Sequence, residues 1–304
     1  MSNQDHDGRS QDPHARRATE AREPGADPEE EVGNPKEKGG FGTRAVVGLT
    51  YAALYFICLF WGRVPSAVFI AVESALCCHE FYNLTRESGK EPNVYIGVVA
   101  TALFPFCALS DSFWMLVVLF LLVFCSCIWY LFSPGTSIED VCATVFGPLY
   151  TGLMLSSIVY IRCQVDGFPG GLLCVGVVGA VMVNDSFAYM VGSRIGRHHL
   201  APHISPNKTW EGLVAGLVGS VLVWLILWAT GYYNLGLAYA IVCAVVTGIF
   251  GVFGDLVESR IKRSVGVKDS GHILPGHGGM LDRCDALIFG SITACFMLVL
   301  GGVI

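Results

Sequence analysis

Between Ser259 and Asp285 the chain reads SRIKRSVGVKDSGHILPGHGGMLDRCD. A Lys262-Arg263 pair, a Lys268-Asp269 pair, the glycine-flanked His277 and the group Asp282, Arg283 and Asp285 lie between two strongly apolar segments. Charged groups at this density are costly beside a bilayer unless they bind something charged. The mixture suits a polyphosphate carried by a divalent metal. Basic side chains would meet phosphate oxygens, carboxylates would hold the metal, and glycines would let the backbone approach the ligand.

Asp255 stands near the end of one apolar segment, and Asp282 and Asp285 at the start of the next. Three residues apart, the latter two share one face of a helix. Where those helix ends meet, three carboxylates converge, an arrangement their repulsion disfavours without a cation. Mg2+ takes one or two carboxylates and completes its shell with water and phosphate oxygens, so it is the natural candidate; a second cation is left open. The competing reading pairs the same acids with Arg260, Lys262, Arg263 and Arg283 as salt bridges at helix ends. Against it, Lys262, Arg263, Lys268 and Arg283 outnumber what the acids need if those acids also hold metal. Residues 268–271 and 275–279 read as tight turns whose successive N–H groups make an anion-binding concavity. His277 is either a phosphate or leaving-group contact or a neutral structural histidine.

A second stretch repeats the theme. Asn184-Asp185-Ser186 leads through Arg194 and Arg197 to Ser205-Pro206-Asn207-Lys208-Thr209-Trp210-Glu211-Gly212. Asp185 falls well inside an apolar run, where a carboxylate needs a cation, a hydrogen-bonding ligand or a lysine. Residues 205–209 have the make-up of a phosphate clamp before a helix start; a plain helix cap at Ser205 or Thr209 explains them equally well.

These groups must be positioned by membrane helices. Apolar residues make up 53% and charged residues only 14% of the chain, against about a quarter charged in soluble domains. The apolar residues fall in runs near the ~20 residues that cross a bilayer, not the five-to-eight-residue runs of buried parallel strands. The expected fold is therefore all-α, a polytopic integral membrane protein of about nine transmembrane helices. The expected spans are residues 45–62, 64–82, 94–109, 113–132, 141–161, 171–192, 211–230, 236–256 and 284–303. Basic residues concentrate in alternate loops, which predicts a cytoplasmic amino terminus and puts both polar loops, 193–210 and 257–283, in the cytoplasm. Residues 1–40 are rich in Pro, Gly, Asp and Glu and nearly devoid of large apolar residues; they read as a disordered cytoplasmic tail. Residues 41–304 form one membrane domain, its catalytic half about 165–304. Most of the twelve cysteines lie in apolar runs, and no pair has metal-ligand spacing. Glu73, His79 and Glu80 also interrupt an apolar run, and no role is assigned to them.

The run S-R-I-K-R-x-x-x-x-K-D-S-G-x-x-L-P-G-H-G-G-M-L-D-R-C-D resembles the signature of phosphatidate cytidylyltransferases, with Cys284 where an aliphatic residue is usual. Residues 184–212 are similar to the family's D-S-G-A-Y … S-P-x-K-T-W-E-G stretch, with Phe187 in place of a glycine. The resemblance is specific over Asn184–Asp285 and general before it. It implies a multi-pass enzyme of the cell membrane that transfers a cytidylyl group from CTP to phosphatidic acid, giving CDP-diacylglycerol and pyrophosphate. It further implies Asp255 and Asp282 as metal ligands with Asp285 in support. Lys208, Lys262, Arg263, Lys268 and Arg283 would take the triphosphate and lipid phosphate, and Asp185 and Asp269 would orient nucleotide or metal. Ser205 and His277 complete the expected substrate contacts. Partners are CTP, phosphatidic acid and membrane lipid; no nucleic-acid partner is expected, and a homodimer is left open. The rival readings are a CTP-dependent lipid kinase, which would move the γ-phosphate, and a secondary transporter with its ion site at Asp185.

Overall fold

A computed structural model describes residues 41–110, 113–271, 273 and 278–304. The tail at 1–40 and His277 lie outside the described residues. Ten α-helices run in order: α1 (Phe41–Trp61), α2 (Arg63–Glu87), α3 (Val94–Cys107), α4 (Phe113–Phe132), α5 (Ile138–Gly147), α6 (Met154–Gln164), α7 (Gly167–Ile195), α8 (Trp210–Ala229), α9 (Leu237–Ser264) and α10 (Leu281–Leu300). A short antiparallel hairpin, β1 (His199–Ala201) and β2 (Ser205–Thr209), sits between α7 and α8. The fold is that of a polytopic membrane protein, as its apolar runs require. Among the described residues seven helical segments are long and apolar enough to cross a bilayer, and Gly48–Trp61 and Val94–Cys107 are shorter apolar helices. Of the nine expected spans, seven correspond to full-length segments and two to the short helices.

The fifth span, Ile138–Gln164, is continuous although it contains Pro148. Ser137 and Asp140 start it with a reciprocal capping box. Proline has no N–H to give the carbonyl four residues back, and the helix passes this point through a π turn, Pro148–Leu153. The carbonyl that Pro148 leaves without a helical donor is that of Thr144, and the hydroxyl of Tyr82 on α2 donates to it at 2.7 Å. One buried hydrogen bond therefore closes the defect and fixes α2 against the fifth span.

Two helices extend past their apolar runs. α7 continues to Ile195 and α9 to Ser264, because the polar residues beyond each run are good helix formers without proline. Asp185 and Asp255 lie inside these helices, as their expected spans had them, and the extension of α9 turns Lys262 inward, where a loop was expected. α7 and α8 pack closely along a small-residue stripe. A Cβ at Gly216 would lie 2.8 Å from the Asn184 carbonyl, and one at Gly219 would lie 3.0 Å from the Phe187 ring. Asn184, fully buried, donates from Nδ2 to the Gly248 carbonyl at 3.1 Å and so ties α9 to this pair. By contrast α4 buries little and presents Trp114, Leu116, Phe120, Leu131 and Phe132 outward, as a lipid-facing helix must.

Candidate active site

α7, α8, α9, α10 and the hairpin enclose a cavity of about 280 Å³. Asp185 from α7, Asp255 from α9, and Asp282 and Asp285 from α10 all line it, together with Asn207 and Lys208 of β2. Val252, Leu213, Ala188 and Leu200 supply its apolar wall. Each polar group arrives for a local reason. Thr209 ends β2 and caps α8, its hydroxyl accepting the Gly212 N–H at 3.2 Å, so the preceding Lys208 is held at the mouth of the helix pair. Of the two cap residues weighed from sequence, Thr209 is the one that caps α8. The three-residue spacing of Asp282 and Asp285 puts both on the cavity side of α10.

Four acids around one cavity repel one another unless positive charge is interleaved. Two lysines interleave it. Lys208 Nζ lies 2.6 Å from Asp255 Oδ2. Lys262 Nζ lies 2.7 Å from Asp282 Oδ1 and 2.6 Å from Oε2 of Glu258, which is fully buried. Asp282 also accepts the backbone N–H of Ser270 at 3.0 Å and of Gly279 at 2.9 Å. Asp285 accepts only the Ala286 N–H, at 2.7 Å, and Asp185 makes no hydrogen bond or close ion pair among the described residues.

Among the described residues no group of three His, Cys, Asp or Glu side chains is close enough to hold a metal ion. The expected trio of Asp255, Asp282 and Asp285 shares the cavity, but two of its members are engaged by lysine. The donor set nevertheless fits a hard cation by its chemistry: every acidic group on the cavity is a carboxylate, the lysines engage Oδ2 of Asp255 and Oδ1 of Asp282 and not the second oxygen of either, and Asp285 has no lysine within ion-pair distance. Of the salt-bridge partners weighed from sequence, Lys262 does meet Asp282, while Asp255 takes Lys208, which was not among them. The bridges go to Lys208 and Lys262, and Arg260 and Arg263 make none among the described residues.

Other expected site residues stand apart from the cavity. Ser205 pairs with Ala201 at the turn of the hairpin. Arg263 is exposed and donates to the Val267 carbonyl at 2.9 Å. Lys268 and Asp269 are exposed in the segment after α9, and Arg283 is exposed on the first turn of α10. Phe187 is not among the cavity-lining residues; its ring fills the space that Gly219 vacates on α8.

Three residues of this region were not assigned from sequence. Glu258, Glu80 and Asn184 are all buried beneath the cavity or its bounding loop. The available signal was an acid or amide inside an apolar run, which by itself identifies no partner.

The profile of the Cytidylyltransferase family matches residues 42–300. A phosphatidate cytidylyltransferase of Mycobacterium bovis is 33% identical over 279 residues, covering 84% of this chain and 87% of that protein. Phosphatidate cytidylyltransferases of Staphylococcus saprophyticus and Staphylococcus haemolyticus are 49% and 48% identical over 109 residues, 36% of this chain. Those matches span 42% of the length of each staphylococcal protein.

Proposed function

Because this chain belongs to the Cytidylyltransferase family, we propose that it transfers the cytidylyl group of CTP to phosphatidic acid, forming CDP-diacylglycerol and releasing pyrophosphate. The observation that carries the reading is the convergence of four carboxylates and Lys208 on one cavity walled by membrane helices. A polar nucleotide and a lipid phosphate need such a site, where charged groups meet apolar surface.

An oxygen of the lipid phosphate attacks the α-phosphorus in line. The new P–O bond forms as the bond from the α-phosphorus to the bridging oxygen breaks, and the electron pair leaves with pyrophosphate. A phosphate monoester is already ionised near neutral pH, so no strong general base is needed, and the protein contributes positioning and charge neutralisation. Lys208 meets phosphate oxygens, exchanging its contact with Asp255 for them. Lys262 stays with Asp282 and Glu258 and balances the buried acids. Asp185 orients the nucleotide from α7. Arg263, Lys268 and Arg283, exposed outside the cavity, attract the triphosphate through their charge, and Asp269 follows Lys268 in the chain. Asp255 and Asp282, with Asp285 in support, would hold Mg2+, which when bound neutralises phosphate oxygens. The basic residues of alternate loops support a cytoplasmic amino terminus and a cavity open to the cytoplasm, where CTP is found.

Purified protein incubated with Mg2+, phosphatidic acid and CTP labelled in the cytidine is expected to yield labelled lipid. CTP labelled in the γ-phosphate is expected to yield labelled pyrophosphate and unlabelled lipid. Label from the γ-phosphate in lipid would overturn the reading in favour of a kinase.

A further inference from the structure

Glu80 lies on α2, about two hundred residues before α10, and is 1% exposed. Its Oε2 accepts two hydrogen bonds from the segment that bounds the cavity: the Ser270 hydroxyl at 3.0 Å and the Leu281 N–H at 2.8 Å. Ser270 is thereby shared between two carboxylates, its hydroxyl going to Glu80 and its N–H to Asp282 at 3.0 Å. α10 begins at Leu281, and its N-cap residue, Met280, provides no side-chain cap. Glu80 instead takes the first N–H of that helix from a different helix, with its carboxylate at the positive end of the helix dipole.

The glycines of the signature fit around this side chain. A Cβ at Gly271 would come within 2.8 Å of the Glu80 carboxyl carbon, and one at Gly279 within 2.5 Å of its Oε2. Both glycines thus leave room for Glu80, and not only for a ligand. Glu80 is itself held in place, because Tyr82, two residues on, anchors α2 to the Thr144 carbonyl of α5, just before the π turn of the fifth span.

We infer that Glu80 is a positioning residue for the transfer site: through Ser270 and Leu281 it fixes the start of α10 so that Asp282 faces the cavity. The inference rests on the cavity being the site of cytidylyl transfer. It gives the amino-terminal helices a part in the chemistry although none of them lines the cavity.

The test compares Glu80→Ala, Glu80→Gln, Ser270→Ala and the Glu80→Ala/Ser270→Ala double variant, in detergent. Glu80→Ala is expected to lower kcat about 10- to 100-fold, the usual effect of losing a partner that orients a ligating group, with KM for CTP changed less than about threefold. Glu80→Gln keeps an acceptor for both donors and is expected to recover most of the loss. The double variant should be no slower than Glu80→Ala, since both changes break one linkage. Independently of activity, amide hydrogen exchange should quicken at 270–271 and 278–283 in Glu80→Ala and stay unchanged in α7 and α8. Wild-type kcat in Glu80→Ala, or additive losses in the double variant, would overturn the inference. If Glu80→Ala does not fold, Ser270→Ala carries the test, and a wild-type rate and exchange pattern there would equally overturn it. A wild-type protein inert toward CTP and phosphatidic acid would refute the proposed function, and the exchange comparison would still decide the contact.

Discussion

Lys208 Nζ and Asp255 Oδ2 are 2.6 Å apart, and that contact joins the β1–β2 hairpin to the middle of α9 across the cavity. It is the one direct ion pair between hairpin and helix bundle among the described residues. Under the proposed function, a phosphate oxygen competing for Lys208 would release Asp255 and so would couple nucleotide binding to the freeing of an acid.

Lys208→Ala is therefore expected to cost about 100-fold in kcat/KM for CTP, the scale of removing one oriented charge from a transferring phosphoryl group. Lys208→Arg should not restore it, since a planar guanidinium does not replace a point ammonium at this spacing. Steady-state kinetics at fixed phosphatidic acid would check both. Recovery by arginine would mean that net charge alone matters.

Asp282→Asn retains an acceptor for the Ser270 and Gly279 amides but removes the charge facing Lys262. Turnover should fall to about one-hundredth or less, with the Mg2+ concentration for half-activation raised about 10- to 100-fold. Chelation should abolish wild-type turnover and added Mg2+ restore it. The variant should still insert and elute as a single detergent-solubilised species. Near-normal turnover would remove Asp282 from the site.

Gly216→Leu would force a side chain against the Asn184 carbonyl, 2.8 Å from the position of its Cβ. Overpacking of this kind costs about 1–3 kcal/mol. A lower thermal midpoint, measured in detergent with activity lost in parallel, is the expected result, because the same helix pair carries Asp185.

Tyr82→Phe removes the donor that completes the Thr144 carbonyl. Interhelical hydrogen bonds in membranes average about 0.6 kcal/mol and reach about 1.7. A loss of about 1 kcal/mol in a detergent unfolding titration is expected. An unchanged midpoint would show that the carbonyl finds another donor.

Spans were legible wherever an apolar run met a bilayer's thickness, and Asp185, Lys208, Asp255, Asp282 and Asp285 were legible as charges that an apolar setting must justify. Helix ends were less so. Nothing in the polarity of residues 257–264 says that α9 continues to Ser264, since a polar turn of helix and a polar loop have the same composition. That is why Lys262 was assigned to a loop, although it is buried against Glu258. Glu80 was visible as an anomaly, but its donors lie 190 and 201 residues away, and contacts at that separation follow from packing alone. The hairpin at 199–209 was hidden because its strands are short and polar, with Pro206 inside one of them.

The match between Phe187 on α7 and Gly219 on α8 makes these two positions epistatic. Glycine at 187 alone would leave a void opposite Gly219, and enlarging 219 alone would collide with the ring. A chimera that takes α7 from one protein and α8 from another must keep these two side chains complementary, because a change at either position alters the space available to the other.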